Sequence, residues 1–297
     1  MCSAYDNMHA SWSSTHEETW DVVKHNDFVG GQFIWTGFDY IGEPTPYAYP
    51  ARSSYFGIID LAGLPKDSYY MYQSEWTSKD VLHLFPHWNW LPGQAIDMWC
   101  YYNHADEVEL FVNGKSQGVR KKMVYGAKNE GKAFEKSTEY HVMWRVNFEP
   151  GEVKVVARKN GKQVGEQIIR TAGAPHHLVL KKTYQGYQAF GASEPTTFVE
   201  VNVVDKEGNL CPNAESQIFF SVIGEKAREE AGEEASAGLD EKAGLKILGT
   251  DNGCQTSLER FTDPHRKAFF GKCIVVLKGK GTLKAQAIDL KDATLSL

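Results

Sequence analysis

The sequence predicts a mainly β protein in which two β-sandwiches follow a short α/β segment. Three observations predict it: strands that end in Asn-Gly pairs between residues 79 and 173, alternating apolar runs between 174 and 297, and a helix–strand–helix pattern in residues 1–78. A chain of 297 residues can bury two or three separate cores. We therefore expect three domains with these boundaries.

The first domain combines helix and strand signals. Thr15–Glu18 is a capping box, which predicts a helix from there to Asn26. Phe33–Trp35 is a short apolar run of the kind found in strands buried on both faces. Pro65 predicts the first turn of a second helix, because its missing N–H needs no partner there. These elements make one βα step of the eight in a closed barrel, so their apolar faces should be exposed.

The second domain is rich in hairpin signals. Glu107–Val112 precedes Asn113-Gly114, and Val153–Ala157 precedes Asn160-Gly161. An Asn-Gly pair tolerates the positive φ angles of a tight type I′ turn, so each pair predicts a hairpin. The spacing favours an immunoglobulin-like sandwich of roughly 90 residues.

The third domain follows a linker at residues 171–175. Phe198–Val204 alternates with period two before an Asp205–Asn209 turn, and two further strands are expected at Gln217–Val222 and Lys272–Leu277. A second sandwich is expected from them. The charged, Ala-rich run within residues 225–244 predicts a flexible or marginally helical loop, with an acidic partner-binding segment as the alternative.

Composition excludes several classes of function. A formal net charge of −6 offers no basic face to nucleic acid, and no run of 18 apolar residues could span a membrane. The N-terminus lacks the regions of a signal peptide, so the compartment stays open. Histidines and cysteines show no metal-ligand spacing, and we expect neither a metal nor a cofactor. The five cysteines are expected to be structural thiols, although a Cys254–Cys273 bond stays open.

Three stretches resemble the bacterial β-galactosidase-like members of family-2 glycoside hydrolases: Gly30–Pro44, Ala51–Asp67 and Leu84–Trp90. The resemblance implies that residues 1–78 are the C-terminal remnant of a (β/α)8 barrel, with its last strand at Phe33–Trp35. It also implies that both sandwiches are immunoglobulin-like, with matching motifs at Asn113–Ser116 and Gly249–Gly253. The chain then corresponds to a C-terminal portion that opens just after the nucleophile segment, and a periplasmic or exported parent enzyme is compatible with it.

The same resemblance implies a site on a sugar pocket. Retaining glycosidases need two carboxylic acids about 5 to 5.5 Å apart. In the family both are glutamates on earlier barrel strands, and neither local motif occurs here, so we expect no catalytic residue and no activity from this chain alone. The substrate-binding candidates are Trp35, Asp39, Tyr40 and Glu43.

Each candidate has a structural alternative. Trp35 could present its flat indole to a galactose ring or fill a core. Asp39 could accept hydrogen bonds from sugar hydroxyls or cap a turn. Tyr40 and Glu43 could serve only the loop, and Arg52 could hold that loop by pairing with Asp39 or Glu43.

Two further functional hypotheses stay open. The chain could be a non-catalytic carbohydrate-binding or scaffold protein, with His87, Trp88 and Trp90 as a sugar platform unless they fill the sandwich core. It could also dock onto a separately made barrel portion. The expected partners are therefore a β-galactoside and that missing portion. Linkage, natural substrate and oligomeric state are left open.

Overall fold

A computed structural model describes residues 4–126, 137–187, 196–223 and 244–297, with no side-chain detail for 184–187. The chain divides into two compact units, Met1–Thr171 and Ala172–Leu297. The described residues are mainly β and form four antiparallel sheets, which confirms the predicted fold class. The finer division of the first unit at residue 78, the barrel remnant and the immunoglobulin-like topology stay predictions.

The described residues of the first unit form two helices and seven strands. In chain order they are α1 (His16–Lys24), α2 (Asp67–Trp76), β1 (Leu82–Phe85), β2 (Ala95–Tyr102), β3 (Glu107–Val112), β4 (Lys115–Arg120), β5 (His141–Asn147), β6 (Glu152–Lys159) and β7 (Lys162–Arg170). One sheet has the order β1-β2-β5 and the other β4-β3-β6-β7. Neither helix of the described chain is long and apolar enough to cross a membrane.

The capping box predicted α1 correctly. The Thr15 hydroxyl accepts a hydrogen bond from the Glu18 amide at 3.2 Å, and the Glu18 carboxylate accepts one from the Thr15 amide at 3.0 Å. Asp6 adds a second cap, since its carboxylate accepts from the amides of His16 and Glu17. Together these contacts satisfy donors that the first turn leaves open.

The predicted start of α2 is wrong by two residues. The helix begins at Asp67, after an extended Lys66, and Pro65 lies before it in a β-bridge with Ile59. The Lys66 amide donates to the carbonyl of Ile58 at 2.9 Å, so the chain stays extended until that bond is made.

The predicted strand at Phe33–Trp35 is also wrong in this chain. The segment is irregular, and regular pairing begins only at Thr36, whose amide donates to the Phe56 carbonyl at 3.0 Å. A strand buried on both faces needs neighbours on both faces, which the described residues do not supply here. The expected exposure of apolar side chains is confirmed, at Phe28, Phe33, Trp35, Phe38, Ile41 and Tyr49.

Both predicted hairpins of the second segment are confirmed. Asn113 and Gly114 join β3 to β4 with φ angles of 48° and 79°, and Asn160 and Gly161 join β6 to β7 with 51° and 75°. The two sheets enclose a core of apolar residues: Leu84, Trp88, Ile96, Met98, Cys100, Tyr102, Val108, Leu110, Val112, Val142, Trp144, Val146, Phe148, Val153, Val155 and Ala157.

The β1-β2-β5 sheet is covered on both of its faces. Along β2, Met98 and Cys100 point into the sandwich core, whereas Trp99 and Tyr101 point to the other face. There they pack with Met71 of α2 and with the other members of a second cluster, Ile58, Tyr72, Phe85, Tyr140 and Met143. The helices are therefore anchored on the sandwich.

In the second unit, the part of the chain that the structure describes forms eight strands. They are β8 (His177–Tyr187), β9 (Thr196–Val204), β10 (Gln217–Ile223), β11 (Lys246–Asp251), β12 (His265–Lys267), β13 (Lys272–Lys278), β14 (Thr282–Ala287) and β15 (Ala293–Ser296). The sheets have the orders β11-β13-β9-β8 and β12-β10-β14-β15. Their buried members form one core, which includes Val199, Val201, Val203, Ile218, Cys273, Val275, Leu277, Leu283 and Ala285.

The strands and the turn predicted for this unit are confirmed. β9, β10 and β13 lie where expected, and the Asp205 carboxylate closes the turn by accepting from the amides of Glu207 and Asn209. Cys254 and Cys273 are free thiols. The charged run predicted within residues 225–244 lies outside the described residues except for Gly244.

Candidate functional site

The loop from Trp35 to Glu43 brings three of the four candidate residues together. The Trp35 indole N–H donates to the Tyr40 hydroxyl at 3.3 Å, and the two rings meet edge to face with centroids 6.4 Å apart. The Tyr40 hydroxyl in turn donates to the Glu43 carboxylate. Trp35 is 72% exposed, so one indole surface is open in this chain.

Asp39 lies apart from this group. Only 4% of the residue is exposed, and its Oδ1 accepts from the Lys66 ammonium and from the Gly57 amide, each at 2.8 Å. The carboxylate therefore ties the Trp35 loop to the segment before α2. This geometry corresponds to the structural alternative for Asp39, and it adds Lys66, a cation that sequence reasoning did not consider.

Backbone pairing fixes the loop against residues 52–59. The amides of Ile58 and Ile59 donate to the carbonyls of Thr36 and Gly37, and the Asp39 amide donates back to Ile59 at 2.9 Å. Further along, the Gly42 amide donates to the Arg52 carbonyl at 2.8 Å. The loop that carries Tyr40 and Glu43 is thus held at several points along its length.

Gly57 is a site residue that sequence reasoning missed. A Cβ at this position would lie 2.1 Å from the Asp39 nitrogen and 2.6 Å from the Ile59 oxygen, so the close approach of the two backbones requires glycine. Lys66 was missed as well, because a lysine 27 positions after its partner carries no local signal.

The exposed group offers defined chemistry. The hydrogen bond to Glu43 raises the pKa of Tyr40 above its ordinary value, so the phenol stays protonated and serves as a donor at neutral pH. An exposed indole beside a phenol and a carboxylate can cover the apolar face of a sugar ring while hydrogen bonding its hydroxyls.

The acids of this loop already have partners. Asp39 is held by Lys66 and Gly57, and Glu43 is held by Tyr40. Their arrangement suits binding and positioning, because a nucleophile and a general acid must instead face the two sides of a scissile bond.

The aromatic residues that follow β1 are the candidates for a sugar platform. Trp88 is fully buried, and its indole N–H donates to the Glu149 carbonyl at 3.0 Å, so it fills the sandwich core. Trp90 is partly buried and stacks on the His87 ring at 4.4 Å. Trp88 accordingly has no surface for a sugar platform.

Comparison with known proteins gives relatives along the whole chain. A family model described as a domain of unknown function, DUF4982, matches residues 93–165. Beta-galactosidase BoGH2A of Bacteroides ovatus is 52% identical over 301 residues, covering 100% of this chain and 31% of that protein. A putative beta-glucuronidase of Formosa agariphila is 34% identical over 292 residues, covering 96% of this chain and 25% of that protein. The chain thus spans less than a third of either relative.

Solved structures of glycosidases also match this chain. A beta-glycosidase from Bacteroides vulgatus has a TM-score of 0.79 at 31% identity, covering 99% of this chain and 34% of that one. A glycosyl hydrolase family 2 member from Bacteroides cellulosilyticus shares the fold, with a TM-score of 0.71 at 23% identity over 94% of this chain and 37% of that one. Over its whole length, the chain is therefore a relative of the family-2 glycoside hydrolases and resembles the C-terminal portion of their bacterial β-galactosidase-like members.

Proposed function

We propose that this chain is the C-terminal portion of a β-galactosidase-like retaining glycosidase that acts on β-galactosides. In this role, residues 1–78 complete a (β/α)8 barrel and contribute part of the wall of its sugar pocket, and the two following domains are scaffold. The observation that carries the proposal is the exposed Trp35–Tyr40–Glu43 group, which offers a stacking surface and two hydrogen-bonding groups side by side.

The roles of the four site residues differ in this proposal. Trp35 stacks on the sugar ring, and Tyr40 and Glu43 bond its hydroxyls. Asp39, held by Lys66 and Gly57, positions the loop that presents them. The exposed apolar side chains near Trp35, among them Phe28 and Phe33, support a packing partner that the rest of the barrel would provide.

The catalytic glutamates lie in the rest of the parent enzyme under this proposal. We expect the purified chain to hydrolyse neither a chromogenic β-galactoside nor a chromogenic β-glucuronide. Turnover of either substrate that Asp39→Asn abolishes would contradict the proposal.

A chimera provides the positive test. This chain replaces the matching portion of the Bacteroides ovatus relative, which is 52% identical to it. We expect the chimera to hydrolyse the galactoside in preference to the glucuronide, and Trp35→Ala to lower kcat/KM by at least about tenfold, the equivalent of about 1.4 kcal/mol of lost transition-state binding. Trp12→Ala is the matched control, because Trp12 is also exposed, at 61%, but lies outside the loop. Equal effects of the two substitutions would remove Trp35 from the site.

The alternative function is a non-catalytic carbohydrate-binding protein. The partly buried Trp90 beside His87 is the feature that favours it. Titration of the isolated chain with galactosides separates the two functions, because a platform predicts binding that Trp90→Ala abolishes and Trp35→Ala leaves unchanged.

A further inference from the structure

We propose that Asp21, His25 and Glu139 form a binding site for a divalent transition-metal ion of the zinc type. One ligand atom from each residue lies within 4.8 Å of the other two. The His25 Nε2 lies 2.5 Å from Glu139 Oε2 and 3.7 Å from Asp21 Oδ1. The three residues come from two parts of the first unit: the C-terminal end of α1 and the segment that precedes β5.

The local fold explains why these side chains converge. Asp21 and His25 are four residues apart, so they project from the same side of the last turn of α1. The segment of Glu139 meets α1 at the same point, where the hydroxyl of the adjacent Tyr140 donates to Asp21 at 2.8 Å. The His25 ring is also stacked on Tyr125 with centroids 3.6 Å apart, which fixes the plane of the imidazole.

The donor set matches zinc-type chemistry. One imidazole nitrogen and two carboxylate oxygens are ligands that zinc accepts at about 2.0 to 2.2 Å, with water completing the coordination. Neighbouring ligand atoms around a tetrahedral ion are then about 3.3 Å apart. The two distances from His25, 2.5 and 3.7 Å, bracket this value, and the half-exposed Asp21 side chain can rotate to close the set.

Access and charge favour a cation at this place. A cleft of about 410 Å³ has Asp21 and Glu139 in its lining, so these two ligands can be reached from solvent. Four of its eleven lining residues are carboxylic acids: Glu17, Glu18, Asp21 and Glu139. Lys24 lies over the Tyr140 ring at 5.0 Å, and its ammonium is paired with Glu75 at 2.9 Å.

Tyr140 lies next to the site and hydrogen bonds one of its proposed ligands. Its hydroxyl donates a hydrogen bond to the Asp21 carboxylate at 2.8 Å. A hydrogen bond of this kind orients a ligating carboxylate, and its loss typically weakens metal affinity tenfold or more. The second carboxylate–histidine pair nearby, Glu17 with His141 at 2.5 Å, is buried and does not join the cluster.

Calorimetric titration of the chelator-treated full chain with zinc chloride tests the site. We expect one zinc ion to bind, to bind more tightly than magnesium, and to raise the melting temperature in a concentration-dependent manner. Glu139→Gln and Asp21→Asn keep the side-chain shapes, and each should weaken zinc binding by at least about tenfold. Circular dichroism verifies that both variants are folded.

A matched control separates the proposed site from nonspecific zinc binding by a surface histidine. His104 pairs with a single carboxylate, Asp80, at 2.9 Å on the exposed surface. His104→Gln should leave zinc affinity unchanged, and His25→Gln should reduce it as Glu139→Gln does. The inference is overturned if the chain binds no zinc, if magnesium binds instead, or if the control lowers affinity as much as the ligand variants. None of the three ligands lies in residues 35–43, so this result does not depend on the proposed glycosidase role.

Discussion

Two tryptophans of the first unit have opposite environments. Trp88 is fully buried between two sheets of the sandwich and its indole N–H is bonded to a backbone carbonyl, whereas Trp35 is 72% exposed on an irregular loop. The sandwich buries its large apolar side chains between its own sheets, whereas the loop region leaves several of them exposed. The Trp35 indole bonds Tyr40, which bonds Glu43, so the exposed ring is held in a defined position. A fixed and exposed aromatic surface suits contact with a ligand, so the difference between the two tryptophans separates the scaffold from the candidate site.

The largest expected effect tests the scaffold side of this contrast. Trp88→Ala should lower the free energy of unfolding of the first unit by about 3–5 kcal/mol, because it leaves a large cavity and an unpaired carbonyl in the core. Urea denaturation followed by fluorescence measures it, with Trp12→Ala as the exposed control. A loss no greater than that of the control would place Trp88 outside the core.

An intermediate effect is expected where α2 is anchored. Glu75 bonds Lys24 at 2.9 Å, Lys122 at 3.3 Å and the Trp20 indole at 3.1 Å. Burial alone would raise the pKa of Glu75, but Lys122 and the bonds from Lys24 and Trp20 outweigh it and lower the pKa. Glu75→Gln should therefore cost about 1–3 kcal/mol at neutral pH.

The pH dependence of this effect has a defined sign. Because the pKa of Glu75 is lower in the folded than in the unfolded chain, its stabilisation is complete above the unfolded value of about 4.3 and is lost as pH falls through the folded value. The difference in unfolding free energy between wild type and Glu75→Gln should shrink accordingly on acidification. A difference that grows below about pH 4 would contradict this linkage.

The smallest effect is expected at the candidate site. Trp35→Ala should change the free energy of unfolding by no more than about 0.5 kcal/mol, because little of its indole is covered in this chain. The same denaturation measurement applies. A loss comparable with that of Trp88→Ala would show that Trp35 serves a core, and the sharp contrast between the two tryptophans would disappear.

Sequence patterns predicted the elements whose signals are local. The Thr15 capping box and the Asn113 and Asn160 turns act within a few residues, and each was found where predicted. Phe33–Trp35 failed because a doubly buried strand is defined by neighbours rather than by its own residues. The Asp39–Lys66 pair and the close approach at Gly57 are tertiary features, and no periodicity could report them.

The doubly covered β1-β2-β5 sheet has a consequence for how the molecule tolerates change. Strand β2 has a buried side chain at most of its positions, so few of them should tolerate a polar substitution. Alternate side chains of β2 pack into the sandwich core and into the cluster beneath the helices. A substitution that disrupts one of these two layers should therefore also disturb the other, because both depend on the position of the same strand. Because α2 packs on one face of this sheet, the helices that flank the Trp35 loop depend on the same strand as the sandwich core.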